Sequence, residues 1–513
     1  MKFGRFDAGA IGAQNGVLAA ALLMLVAAIV FGGGTRQGLP SDAFLQLLAV
    51  PVLAIGGLNI ARHGLPGQAV LPIMFCAMCV ALPLLQLIPL PPNLDNIMPY
   101  RGLLREIQGA AAIDTSWWPI SLAPQTTALA VLSTLPAIAV FLCALQLDCH
   151  GRRVLVITLI GCATVSGFLG LLQVAQGQSS PLRFYEVTNL NEAVGFFANR
   201  NHFAAFMYAT WMLAACWLNE SVRAYVVATP NRRLSTGVAL PLLAALVAVL
   251  VLFVALLTAR SRAGLVLGGA AMIIAFTTAA VGQGRGTWLR PRWLLALAAV
   301  GTLLLSSQYV LVRMFDRLAD DPLRDARLAF ARNTFRAAKA FLPFGSGVGT
   351  FAPVYALFEA PTDAMVDTYA NRAHNDILEI ALESGLAGIM LMIVFAVWLL
   401  HRLWNVWRGG LDHAADLDNQ FARGACVVII LVSAHCLVDY LVRTVTILTT
   451  LGVCCALLCA PSHTVATITD NMEEVKPTTE PPAASCSTPK PSLGNWQPEQ
   501  NWPDSWNERK HRS

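Results

Sequence analysis

Apolar runs of roughly 17–25 residues recur along the 513-residue chain, separated by short polar or basic stretches. That is the length an α-helix needs to cross a bilayer, so the pattern predicts an all-α, polytopic membrane protein. About twelve spans are predicted, near 14–32, 43–61, 68–90, 126–147, 153–175, 199–218, 237–258, 262–281, 293–311, 377–400, 423–440 and 443–460. The basic residues between the runs fall on one side: Lys2 and Arg5, Arg62, Arg152 and Arg153, Arg223, Arg232 and Arg233, Arg285, Arg290 and Arg292, Arg402 and Arg408. By the positive-inside rule that side is the cytoplasm, with both termini there. The alternate loops, 33–42, 91–125, 176–198, 259–261 and 312–376, then face outward.

The last of these loops, at about 65 residues, is too long for a connector in a compact bundle. Its stretch Leu323–Lys339 is helix-compatible, with Arg324, Arg327, Arg332, Arg336 and Lys339 spread over about half of the helical wheel. Gly345, Gly347 and Gly349 follow and break the helix. They lack the Lys and Ser/Thr of a phosphate-binding loop, so a turn is predicted.

Composition agrees with the pattern. The chain is 56% hydrophobic and 13% charged, with a mean hydropathy of +0.59, whereas a soluble domain carries about a quarter charged residues. A net charge of +5 is modest, and no nucleic-acid partner is indicated. The twelve cysteines lie mostly inside apolar runs. Cys76 and Cys79 have redox-motif spacing without a polar pocket, which marks them as small apolar residues. The first run lacks a small-residue cleavage site and is expected to be an uncleaved first span. From about 461 the chain is rich in Pro, Thr, Ser and Glu, the composition of a disordered cytoplasmic tail.

Three polar clusters abut apolar runs, where charge is expensive unless paired or put to use. They are Ala198–His202, Thr258–Arg262 and Arg372–Asp376. All three fall at the outer face under the predicted topology, although they are far apart in sequence. Arg200, Arg260 and Arg262 begin spans, where a guanidinium can meet phosphate oxygens in a bidentate fork. Isolated arginines there would simply snorkel to headgroups. The grouping of Arg200 with Asn199, Asn201 and His202, and the pair Arg260 and Arg262, favour a functional role.

Asp376 and Glu379 have the spacing of a helix N-cap and its N3 partner, so a helix is predicted to start at Asp376. A helix N-terminus disfavours imidazolium, which suits a neutral His374 that accepts a proton. Glu379 and Glu383 follow on one face as orienting groups or counter-charges to the arginines. His435, Asp439 and Arg443, spaced by four, are expected on one helical face, as a structural charge network in preference to a proton path. Asp416 and Asp418 resemble a metal-binding carboxylate pair but lie on the cytoplasmic side, away from the three clusters.

Phe196–Phe203, Thr258–Gly264, Pro343–Phe351 and Ala373–Gly388 resemble, in order and spacing, motifs of the O-antigen ligase and polymerase family of bacterial envelopes. The resemblance covers roughly residues 150–460, which divides the chain into N-terminal helices (1–150), a ligase/polymerase-like membrane domain (151–460) and the tail (461–513). It implies a GT-C-like architecture and a metal-independent, inverting glycosyltransferase without a cofactor, working on the periplasmic face of the bacterial inner membrane. The donor would be a glycan on undecaprenyl diphosphate. The acceptor would be a lipid-linked repeat unit, for O-antigen or exopolysaccharide polymerisation, or a lipid-A core, for lipopolysaccharide ligation. A chain-length regulator and membrane lipids are the further partners it suggests.

Residue by residue, the resemblance makes Arg200 and Arg262 diphosphate ligands and His374 the base. His202 and Asn375 join them as candidate substrate contacts. Arg260 is a departure, because the family usually has a small residue there. The stretch Ala434–Thr444 resembles exopolysaccharide polymerases, which inclines the reading towards polymerase. The rival class, a transporter or flippase of lipid-linked sugars, would place its polar groups near the bilayer midplane between repeated halves. No such repeat is visible.

Overall fold

The computed structural model describes residues 8–65, 67–95, 97–112, 117–228, 235–281, 322–364, 369–408 and 417–459. The predicted span at 293–311, the tail from 461, Asp416 and several of the basic loop residues lie outside the described residues. The helices are α1 (Ala8–Phe31), α2 (Pro40–His63), α3 (Val70–Gln86), α4 (Pro92–Asp95), α5 (Arg101–Ala110), α6 (Pro124–Ala144), α7 (Cys149–Gln176) and α8 (Arg200–Ala228). They continue with α9 (Thr236–Thr258), α10 (Arg262–Val281), α11 (Pro322–Phe341), α12 (Phe351–Tyr355), α13 (Asp376–Arg408), α14 (Leu417–His435) and α15 (Val445–Cys459). A two-residue antiparallel pair, β1 (Pro89–Leu90) with β2 (Trp118–Pro119), closes the loop between α3 and α6.

Among the described residues, eight helices are long and apolar enough to cross a membrane: α1, α2, α3, α6, α7, α9, α13 and α14. Arg262–Thr278 of α10 and Val445–Cys459 of α15 are shorter apolar helices. Helix α8 occupies the predicted span at 199–218 but carries Arg200, His202, Asn219, Glu220 and Arg223, and it is not among the eight. Large apolar side chains such as Leu47, Leu240, Val266, Ile273 and Met390 remain exposed, as lipid-facing residues do. Between helices, small residues permit close approach, the usual means of packing where hydrocarbon surrounds the protein. A methyl added at Gly167 of α7 would sit 3.2 Å from the Ala255 side chain of α9, and one at Gly264 of α10 only 2.6 Å from Ala204 of α8.

Two departures from the predicted spans shape one end of the bundle. The span expected at 423–440 stops early, because α14 ends at His435 and the chain turns through 436–440 into a 3₁₀ turn at Leu441–Arg443. The start of α13 makes this break tolerable: Asp376 N donates to Cys436 O (2.9 Å), Asn375 Nδ2 to Leu437 O (2.8 Å), and Val442 N to Asp376 Oδ2 (3.2 Å). His435, Asp439 and Arg443 therefore do not share a helical face as their spacing suggested.

The second departure is a break inside α13 at Gly385, which adopts φ 58° and ψ −146°. The glycine turn predicted at 345–349 packs there. Ser346 N donates to Leu382 O (3.0 Å), Gly347 N to Glu383 O (2.9 Å) and Leu386 N to Pro343 O (2.9 Å). Irregular backbone at membrane depth survives only where protein satisfies its polar groups, and this turn does so.

The segment from α11 to the start of α13 has a core of its own. Phe330, Ala337, Ala338 and Phe341 of α11 pack with Phe351, Val354 and Tyr355 of α12 and with Ala370, Ala373 and Leu382. Helix α11, predicted at 323–339, is thus one-sided, with its apolar stripe buried and Arg327, Arg332, Arg336 and Lys339 outward or at its edges.

Candidate functional site

Each of the three polar clusters contains its own helix cap. Asn199 Oδ1 accepts from Asn201 N at 2.8 Å, Ser261 Oγ from Gly264 N at 3.2 Å, and Asn375 Oδ1 from Leu378 N at 3.0 Å. Side-chain caps of this kind begin helices by satisfying the first free amides. Asn375, not Asp376, is therefore the cap of α13; Asp376 is its first helical residue and is buried. Asn375, expected among the substrate contacts, spends its side chain on this cap and on Leu437 O.

Contacts bring the three helix starts together. Gly264 packs on Ala204, joining the starts of α10 and α8. Ala193 N donates to Thr258 O (3.2 Å), tying the loop before α8 to the same turn. Asp439 then bridges α8 to α13, accepting from Asn201 Nδ2 at 2.6 Å through one oxygen and meeting His374 Nδ1 at 3.2 Å through the other. Three helix N-termini presenting positive partial charge at one place favour an anion.

His374 is the best-defined member. Its ring lies parallel to Phe330 of α11 (centroids 6.0 Å apart, 10°) and meets the Tyr440 ring edge-on (4.9 Å, 76°). Burial alone would raise the Asp439 carboxyl, but the hydrogen bond and charge of His374, with His202 and His435 nearby, hold it well below the usual carboxylate range. An ionised carboxylate only accepts, so Nδ1 carries the shared proton, and in the neutral imidazole Nε2 presents its lone pair. With the side chain 28% exposed, that nitrogen can meet a solute.

The arginines differ from one another. Arg200 forms a 2.7 Å ion pair with Glu192, a largely buried acid on the loop before α8, and its backbone N donates to Asn189 Oδ1 at 2.9 Å. Arg262 opens α10 and Arg260 sits in the preceding turn, both half-buried. Arg260 and His374 share a backbone oddity, φ values of 51° and 50°, in the left-handed region that side chains other than glycine seldom adopt.

His202, expected to touch substrate, is fully buried. Its Nδ1 lies 2.6 Å from Thr444 Oγ1 and its ring also meets the Tyr440 ring edge-on (4.8 Å, 79°). It supports Tyr440, which in turn supports His374.

One turn deeper along α13 sits a closed ionic cluster. Arg443 reaches Glu383 (2.9 Å), Glu379 (3.5 Å) and Asp376 (3.6 Å), while Arg372 pairs with Glu379 at 2.9 Å. The other Glu379 oxygen accepts from Ala373 N at 2.9 Å, and Glu383 accepts from Phe351 N at 3.1 Å. Glu379 and Glu383 are thus counter-charges, as expected, but to Arg372 and Arg443 rather than to Arg200, Arg260 and Arg262.

Residues 234–393 match the family model described as O-antigen ligase. This supports membership of the O-antigen ligase/polymerase family, the one the motifs resemble. The O-antigen ligase match takes in Arg260, Arg262, the glycine turn, His374 and Asn375, and it leaves Arg200, His202 and Asp439 outside. No curated protein matches the chain.

Sequence reasoning did not assign Asp439 to the site, nor Glu192 or Tyr440, and it named Asn201 only as a neighbour of Arg200. The spacing of His435, Asp439 and Arg443 drew attention to Asp439 but for the wrong geometric reason. Glu192 carries no local signal at all.

Proposed function

We propose that this protein is an inverting, metal-independent glycosyltransferase of surface-polysaccharide synthesis in the bacterial inner membrane, acting on its periplasmic face. The observation that carries the reading is the His374–Asp439 pair, set where the starts of α8, α10 and α13 meet. The donor is a glycan on undecaprenyl diphosphate. Its diphosphate lies against Arg200 and Arg262, with Arg260 as a further cation, while His374 Nε2 faces the acceptor hydroxyl.

In this scheme the imidazole takes the hydroxyl proton as the acceptor oxygen attacks the anomeric carbon from the side opposite the diphosphate. The bond from that carbon to the diphosphate oxygen breaks, and the departing charge is met by guanidinium groups already in place. Asp439 holds the ring and stabilises the imidazolium that forms. The acceptor is a second lipid-linked repeat unit in polymerisation, or a lipid-A core in ligation. Both termini are cytoplasmic in this reading, with about twelve spans in a GT-C-like arrangement.

A reconstituted assay tests it. His374→Ala should lower transfer by about 10²–10⁴, the usual size for a lost general base, with binding of the lipid diphosphate within a few-fold of normal. Undiminished turnover would move the base elsewhere, and lost donor binding would make His374 a ligand. A reporter fused near Asp363 should be active only in the periplasm and one near Gly64 only in the cytoplasm; the reverse pattern removes the proposed site.

A further inference from the structure

Helix α5, in the loop between α3 and α6, turns its polar side to the protein and its apolar side outward. Arg101 and Gln108 are buried, whereas Leu103 and Ile107 are exposed on an adjacent stripe, with half-buried Leu104 between. Arg105 and Glu106 occupy a third side, also exposed. The polar side is firmly held: Arg101 Nη2 donates to Pro119 O (2.6 Å) and Ile120 O (3.1 Å). Just before the helix, Tyr100 stacks on Phe341 (5.0 Å, 25°) and meets Phe358 edge-on (5.4 Å), fixing α5 to the hydrophobic core around α11.

The outward face is apolar well beyond two residues. Ile97 is 67% exposed, Trp117 58% and Ile107 55%, and Leu94 is exposed beside them. Along the chain this exposed run follows directly on Leu84, Leu85 and Ile88 at the end of α3, a helix long and apolar enough to cross a membrane. The segment leads at its other end into α6, a second such helix. In the membrane-spanning reading the exposed end of α3 meets hydrocarbon, and the chain leaves it through Ile88, Leu94 and Ile97 without a polar face of its own. A tryptophan at its margin fits the headgroup boundary, where indole is favoured.

We propose that α5, with Leu94, Ile97 and Trp117, lies in the plane of the bilayer, sunk into the leaflet on the side of the catalytic site. Its apolar face contacts acyl chains while Arg105 and Glu106 point to headgroups and water, the arrangement of an interfacial amphipathic helix. Through Tyr100 it holds α11, and with it Phe330 over His374, at a fixed height above the membrane. The proposal rests on the reading of the chain as membrane-spanning and is independent of glycosyl transfer.

Nitroxide labels at Leu85→Cys, Glu106→Cys and Ile107→Cys in the full chain test it, after reconstitution in phosphatidylethanolamine–phosphatidylglycerol vesicles. Power saturation compares collisions with oxygen and with a nickel chelate, after subtraction of the signal from the unsubstituted protein. The oxygen-to-nickel ratio should be high at Leu85 and Ile107 and several-fold lower at Glu106. Leu103→Cys repeats the reading if Ile107→Cys does not assemble. A low ratio at Ile107 with a high one at Leu85 overturns the proposal, leaving the face to water or to a protein absent from the vesicles. A low ratio at both positions overturns the membrane reading and the proposal with it.

Discussion

Two groups of charged residues lie at the same end of the bundle, and they treat charge in opposite ways. In the Arg372–Glu379–Arg443–Glu383–Asp376 cluster every side chain is buried or nearly so, and the charges close on one another. In the neighbouring group, His374 and Arg200 keep about a quarter of their side-chain surface exposed, at 28% and 26%, and each is held from behind by a buried acid, Asp439 or Glu192. The residue types are alike. What differs is whether the charged side chains keep an exposed surface. Closed charges hold architecture; half-open charges with buried supports can do chemistry.

The largest expected effect tests the closed cluster. Arg443→Ala leaves three buried carboxylates without their shared cation, and breaking a buried ion pair costs about 3–5 kcal/mol. Loss of folded protein from the membrane, read by its level and thermal midpoint, is the expected result. A stable, active Arg443→Ala protein would erase the distinction between the two groups.

Next in size are Arg262, Arg200 and Arg260. Arg262→Lys keeps the charge but loses the planar fork, so transfer should fall nearly as far as in Arg262→Ala, by about 10²–10³ for a lost charge-stabilising contact. Arg200→Lys should behave alike and Arg260→Lys more mildly, all at normal protein level. Full activity in the lysine variants would reduce these side chains to headgroup anchors.

The smallest effect concerns the support behind His374. Turnover should fall on the acid side, because protonated imidazole accepts no proton. Asp439 stays ionised there, since its carboxyl is held below the usual values. In Asp439→Asn the imidazolium loses its counter-charge and is less favoured, so the acid limb should move to lower pH while the plateau rate drops. A plateau that falls with no movement of the limb would mean that Asp439 acts only by packing.

Eight of the predicted spans and the three polar clusters were legible because hydropathy and local spacing are properties of short stretches. The prediction of α11 from Leu323–Lys339 and of a glycine turn at 345–349 succeeded for the same reason. Spacing misled where tertiary contacts overrode it. The spacing of His435, Asp439 and Arg443 implied one helical face, yet the start of α13 captures the carbonyls beyond His435 and lets the helix end. The result sends three residues to three destinations: His435 to Tyr208 Oη (3.2 Å), Asp439 to His374, and Arg443 to the acidic cluster. The cap of α13 was misplaced by one residue, because Asn and Asp are both good caps and only the hydrogen bond distinguishes them. His202 looked like a ligand since polarity at a helix start does not reveal which way a side chain turns.

The left-handed backbone at His374 has a consequence for any search for sturdier versions of this protein. A side chain in that conformation costs roughly 1–2 kcal/mol that glycine does not incur. At His374 that gain is outweighed, because His374→Gly would leave the buried Asp439 carboxylate without its imidazole partner and strip the ring from Phe330 and Tyr440. A screen scored on stability alone would therefore keep the histidine, for the acid behind it rather than for any reaction.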